Sequence, residues 1–181
     1  KNELSGKKFD SVVISSEHYQ SRLRSQSELV RLKSILKNLG ITSCSVIVYL
    51  RDPVELAASL YSTAIKSGSI AFATTQPNSP NYAHVCNHEN TIKSFQSIFN
   101  DEHDNLIVRL FDRSTLKNGS VLDDFMSLVG MENIDDFIYS NSENKSLSNL
   151  GLKLLRSVNE NLINTQYVES VQLRTSIYKA F

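Results

Sequence analysis

The heptapeptide CSVIVYL, residues 44–50, constrains the fold more than any other part of the chain. It is apolar at nearly every position and rich in valine and isoleucine. That is the composition of a strand covered on both faces, as in a parallel sheet layered between helices, rather than of a strand alternating between core and water. The residues that follow agree with this. Asp52 and Pro53 spell a helix start, an N-cap acid before a proline at the first helical position. VELAASLYSTAIK then has helical composition, and Gly68 stands where a left-handed helix end is wanted.

The same alternation of strand and helix runs through the rest of the chain. Residues 11–16 (SVVISS) read as a preceding strand, with residues 12–15 expected in the same sheet as residues 46–50 and 106–110. Leu29, Leu32, Ile35, Leu36 and Leu39 recur at spacings of three and four, which predicts a helix closed by Gly40. Residues 69–81 are small, polar and proline-containing, and are expected to form a surface lid. Residues 87–100 read as a helix and residues 105–111 (NLIVRLF) as a strand interrupted by Arg109, with residues 120–129 and 148–162 as further helices. The order β-α-β-α-α-β-α-α predicts an α/β fold of three layers, a central parallel sheet flanked by helices. In such sheets ligands bind beyond the carboxyl ends of the strands. That edge would hold residues 15–18, Arg51 with its helix start, and Asp112 with Arg113.

Composition narrows the function classes. With 19 basic and 19 acidic residues the chain has no net charge, so no overall field favours nucleic acid or an anionic membrane, and any anion site must be local. Two cysteines do not suggest a disulfide framework. The longest apolar run falls far short of the roughly 20 residues that span a bilayer, and no signal-peptide pattern opens the chain. A cytoplasmic chain of one domain over residues 1–181 is expected. The first residue is Lys1 rather than methionine, which suggests a piece of a longer protein.

The chemistry concentrates in residues 49–68. Arg51 leaves the buried strand where a helix begins, and Ser59 follows about two turns into that helix. Free N–H groups at the helix start and a guanidinium fork suit a phosphate. On helix chemistry alone, an ordinary ion pair of Arg51 with Asp52 or Glu55 is the competing role. An apolar strand, Arg-x-Pro, a serine eight residues after the arginine and a tyrosine two beyond resemble the 3′-phosphate-binding segment of the sulfotransferase family. Arg51, Pro53, Ser59 and Tyr61 fill those places. VVISSEH, NLIVRLFDRSTLKNGSVLDDFMSLVG and ENKSLSNLGLKLLRSVN resemble other segments of bacterial polysaccharide-type members, in the same order, so that the likeness covers roughly residues 9–159.

The resemblance implies a P-loop-like fold, 3′-phosphoadenosine 5′-phosphosulfate as donor and a hydroxyl acceptor, expected to be a saccharide. It also implies a base at the end of the first strand, where Glu17 or His18 would take the hydroxyl proton. Strand alternation lets only one of the two face the cleft, and Glu17 fits the pattern better. No metal is implied. The family's strand-loop-helix for the 5′-phosphosulfate has no counterpart here: Ser5-Gly6-Lys7-Lys8 lacks a preceding strand and reads as a turn. Two rival functions are a P-loop nucleotide kinase and a nucleotide- or glycan-binding module without catalysis. His84, Cys86 and His88 alternate too tightly for a zinc site, and Arg109 and Arg113 are candidates either for binding the donor or an acidic acceptor or for ordinary ion pairs.

Overall fold

The computed structural model of the chain describes residues 10–16, 18–71, 76–131, 147–162, 172–173 and 175–176. Glu17, the Gly6-Lys7 pair and residues 72–75 of the expected lid lie outside them. Strand β1 (Cys44–Leu50) pairs in parallel with β2 (Asp104–Leu110), in unbroken register from Cys44 opposite Asp104 to Leu50 opposite Leu110. Helix α2 (Gln26–Asn38) precedes β1, and α5 (His88–Gln96) precedes β2. Between β1 and α5 come α3 (Pro53–Lys66) and the short α4 (Ala83–Cys86); a single turn, α1 (Tyr19–Arg22), precedes α2. Past β2 lie α6 (Val121–Leu128) and α7 (Asn149–Asn161).

Strand alternation decides which helix covers which face. Cys44, Val46 and Leu106 point to one side, where they meet Leu29, Leu32 and Leu36 of α2 together with Phe95, Ile98 and Phe99 at the end of α5. Leu29 and Phe99 are fully buried, and the Phe95 and Phe99 rings stack with centroids 6.3 Å apart. Burying a side chain of this size stabilises by roughly 1.5–3 kcal/mol. Tyr49 and Arg109 point to the opposite side, where both reach Asp124 of α6. The sheet is therefore flanked by helices on both faces, a mixed helix-and-strand architecture.

Local chemistry explains the helix ends. Ser25 and Glu28 close a capping box at the start of α2, and the Asp52 carboxylate accepts from the N–H groups of Val54 and Glu55 with Pro53 at N1 of α3. Gly40 and Gly68 sit at φ 86° and 99°, the left-handed conformation that lets the N–H groups after each helix bond back to its last carbonyls. Asn159 of α7 is buried and donates from Nδ2 to the carbonyls of Ile65 and Ser69, which fastens α7 to the end of α3.

One expectation fails. Residues 11–16 form no strand and pair with neither β1 nor β2, and Val12, Val13 and Ile14 are each about half exposed. β-branched composition says only that a segment suits a pleated surface; a strand needs a partner, and here the run has none in the two-stranded sheet.

Candidate functional site

The carboxyl end of β1 is built by three connections. Arg51 follows the last strand residue, and its backbone carbonyl accepts from His88 Nε2 at 2.6 Å, which ties the first residue of α5 to the end of β1. The Cys86 thiol reaches the carbonyl of Pro53 at 3.6 Å, so that α4 rests on the start of α3. Gln20 of α1 donates from Nε2 to the Val85 carbonyl and to Thr91 Oγ1. These links join α1, the turn that follows His18, to the α4–α5 region that holds the start of α3. His18 itself is exposed, and its N–H donates to Ser16 Oγ.

At this edge the Arg51 side chain is 39 % exposed and donates from Nε to Glu55 Oε2 at 3.0 Å. This is the ion pair that competed with the phosphate role. Ser59 is exposed on α3, and the spacing 51, 55, 59 sets Glu55 between Arg51 and Ser59 along one helical row. A phosphate gripped by both would therefore have to displace the Glu55 carboxylate. An exposed pair four residues apart contributes only about 0.3–0.5 kcal/mol, so the displacement costs little.

Arg109 has a different fate. It meets Asp124 through two bonds, Nε to Oδ2 at 3.0 Å and Nη2 to Oδ1 at 2.5 Å, and Asp124 also accepts from the Tyr49 hydroxyl at 2.9 Å and from the Lys117 N–H at 3.1 Å. The Arg109 guanidinium holds the Asp124 carboxyl down at about 2. Burial, then the bond to Asp124, pushes the Tyr49 hydroxyl up to about 12. Arg109 is committed within the fold. The signal that could have found its partner was an arginine inside an apolar strand, which calls for a buried acid close by. Arg113 lies exposed on the turn after β2.

His84, Cys86 and His88 point to three different partners: the Arg24 guanidinium, the Pro53 carbonyl and the Arg51 carbonyl. Among the described residues no group of three or more His, Cys, Asp or Glu side chains is placed to hold a metal ion, and no helix is long and apolar enough to cross a membrane. Sequence reasoning missed both the Arg24 contact with His84 and the His88 bond to Arg51, because each joins residues far apart in the chain. A cavity of about 80 Å³ opens beside His84 rather than over Arg51. Comparison with models of protein families, with curated proteins and with solved structures finds no match to this chain.

Proposed function

We propose that the chain is the larger part of a sulfotransferase of three-layer, P-loop-like architecture. It would act in the cytoplasm on a hydroxyl acceptor, a saccharide, with 3′-phosphoadenosine 5′-phosphosulfate as donor. Arg51 and Ser59 would anchor the donor's 3′-phosphate, and Glu17 or His18 would take the acceptor's proton. The observation that carries this reading is the position of Arg51. It leaves a parallel strand at the first turn of a capped helix, with an exposed side chain whose carboxylate partner is easily displaced. The Asp52 cap already takes the N–H groups of Val54 and Glu55, so a nucleotide phosphate at this place would be held by the Arg51 cation beyond the carboxyl end of the strand. Transfer needs no covalent enzyme intermediate; in-line placement and stabilisation of developing charge suffice.

Titration with 3′-phosphoadenosine 5′-phosphate tests the anchor. Hydrogen bonds to a charged group are worth about 1.5–3 kcal/mol, so Arg51→Ala should weaken binding by roughly ten- to a hundred-fold, and Ser59→Ala by less. Adenosine 5′-phosphosulfate, which lacks the 3′-phosphate, should lose almost nothing in either variant. Equal losses for both nucleotides would overturn the assignment. Binding without transfer to any saccharide would leave the nucleotide- or glycan-binding module in its place.

A further inference from the structure

Among the described residues several arginines meet carboxylates. Arg51 pairs with Glu55, Arg109 with Asp124 and Arg156 with Glu160. Arg24 differs: its Nη2 lies 3.0 Å from His84 Nε2, while its Nε donates to the Ser21 carbonyl at 2.8 Å. A guanidinium only donates, so the His84 nitrogen facing it must be bare and the imidazole neutral. Burial, with Arg24 adding to it, holds the His84 pKa below its ordinary value. The Glu28 carboxylate lies within electrostatic reach of the Arg24 guanidinium, but its Oε2 is taken by the N–H groups of Arg24 and Ser25 in the cap of α2. Two basic side chains thus meet on the wall of the cavity. Its remaining walls include uncharged Asn90 and Ser94 and apolar Leu23 and Phe95.

We propose that this cleft between α1, α4 and α5 binds the carboxylate of an acidic saccharide, with Arg24 and His84 as its two donors. The proposal rests on the transferase reading for one point only, the identification of that saccharide as the sulfate acceptor. Polar edges beside an apolar surface suit a sugar ring, and about 80 Å³ admits a carboxylate and the adjoining edge of a ring but not a nucleotide. The placement also suits an acceptor. Gln20, whose amide bonds to Val85 and Thr91 at this cleft, lies two residues from His18 in the chain, so the segment carrying one of the proposed bases adjoins the cleft.

A bound carboxylate reverses the electrostatics at His84. The imidazole can take up a proton and donate to the anion alongside Arg24, so binding is coupled to proton uptake and strengthens as the pH falls. The test is a titration of the chain with glucuronate, and with glucose as the neutral counterpart, followed by calorimetry and by the His84 ring resonances. Glucuronate should shift those resonances and bind at least roughly threefold more tightly at about pH 5.5 than at about pH 7.5. Glucose should leave them unmoved.

Arg24→Gln should weaken glucuronate binding about tenfold with the thermal transition retained. His84→Gln should keep binding but lose its pH dependence. A silent His84, equal binding of glucose, or an affinity indifferent to pH would each overturn the site. Titration with 3′-phosphoadenosine 5′-phosphate separates the two ideas. Nucleotide binding without glucuronate binding sinks this inference alone, and the reverse sinks the transferase reading while the carboxylate site stands.

Discussion

The two ends of the β1–β2 pair are made differently. At the amino end the Asp104 carboxylate accepts from the Cys44 N–H at 2.8 Å and pairs with Lys33 Nζ at 2.7 Å. Lys33 also meets Asp101 at 2.7 Å and the Ile98 carbonyl at 2.8 Å, with the Phe99 ring below it. Acid, base and backbone close on one another over the core. At the carboxyl end, among the described residues, the Arg51 side chain holds an exposed glutamate, and His88 grips the backbone rather than the guanidinium. The first arrangement uses up its donors and acceptors in the fold; the second keeps a cation available at a fixed place. A site for an outside anion needs the second kind.

The largest effect should come from the closed end. Phe99→Ala removes a fully buried ring from the core and should destabilise by about 3–5 kcal/mol in denaturant unfolding. The affinity of the folded variant for 3′-phosphoadenosine 5′-phosphate should hold. If the nucleotide affinity falls as well, the two ends are mechanically one, and the comparison breaks.

A second experiment sets two acids against each other. Asp101 at the amino end and Asp124 under the carboxyl end are both held at about 2, below the ordinary 3.8. Each contributes stability that is full above about pH 4 and is lost as the pH falls through about 2. Asp101 is half exposed, so solvent screens its pairing with Lys33, whereas Asp124 is buried. Melting temperatures measured between about pH 5 and pH 2 should therefore flatten more in Asp124→Asn than in Asp101→Asn. Tyr49 acts at the other extreme. With its hydroxyl raised to about 12, its contribution lasts up to about pH 10 and goes as the pH rises through 12, so Tyr49→Phe should blunt the alkaline limb. An acid limb flattened equally by both aspartate variants would mean that burial does not distinguish the two ends.

The smallest effect sharpens the picture at the open end. Glu55→Gln removes the carboxylate between Arg51 and Ser59 and should change stability by no more than about 0.5 kcal/mol. Affinity for 3′-phosphoadenosine 5′-phosphate should rise about twofold. A weaker affinity would mean that Glu55 aligns the guanidinium instead of competing for it.

The sequence foretells these elements unevenly, and the reasons are physical. β1, β2 and α3 are legible because composition, caps and an N1 proline all point one way; the predicted start of β2 is a single residue late, since Asp104 is polar and joins the ladder by its backbone. α2 follows from leucine spacing. Residues 11–16 mislead because three β-branched residues promise a strand whatever lies beside them. α1 and α4 are single turns, too short for any periodicity to announce. Of the site, the helix start at Asp52 was readable, whereas whether Arg51 turns to a phosphate or to Glu55 was not, since both fit the same spacing. Contacts such as Arg24 with His84 join residues 60 apart in the chain and leave no local mark.

The unbroken parallel register of β1 with β2 has a consequence for the order in which the chain folds. Cys44 and Asp104 are 60 residues apart, and every later pair keeps that separation. Closing a loop of that length costs about 3–4 kcal/mol of chain entropy before any ladder bond forms, whereas the turns of α3 and α5 close over four residues. The helices between the strands should accordingly gather first, with the ladder among the last features to form. Until then CSVIVYL stands unpartnered, apolar and without charge, so the run that dictates the fold is also the stretch through which half-folded chains would adhere to one another.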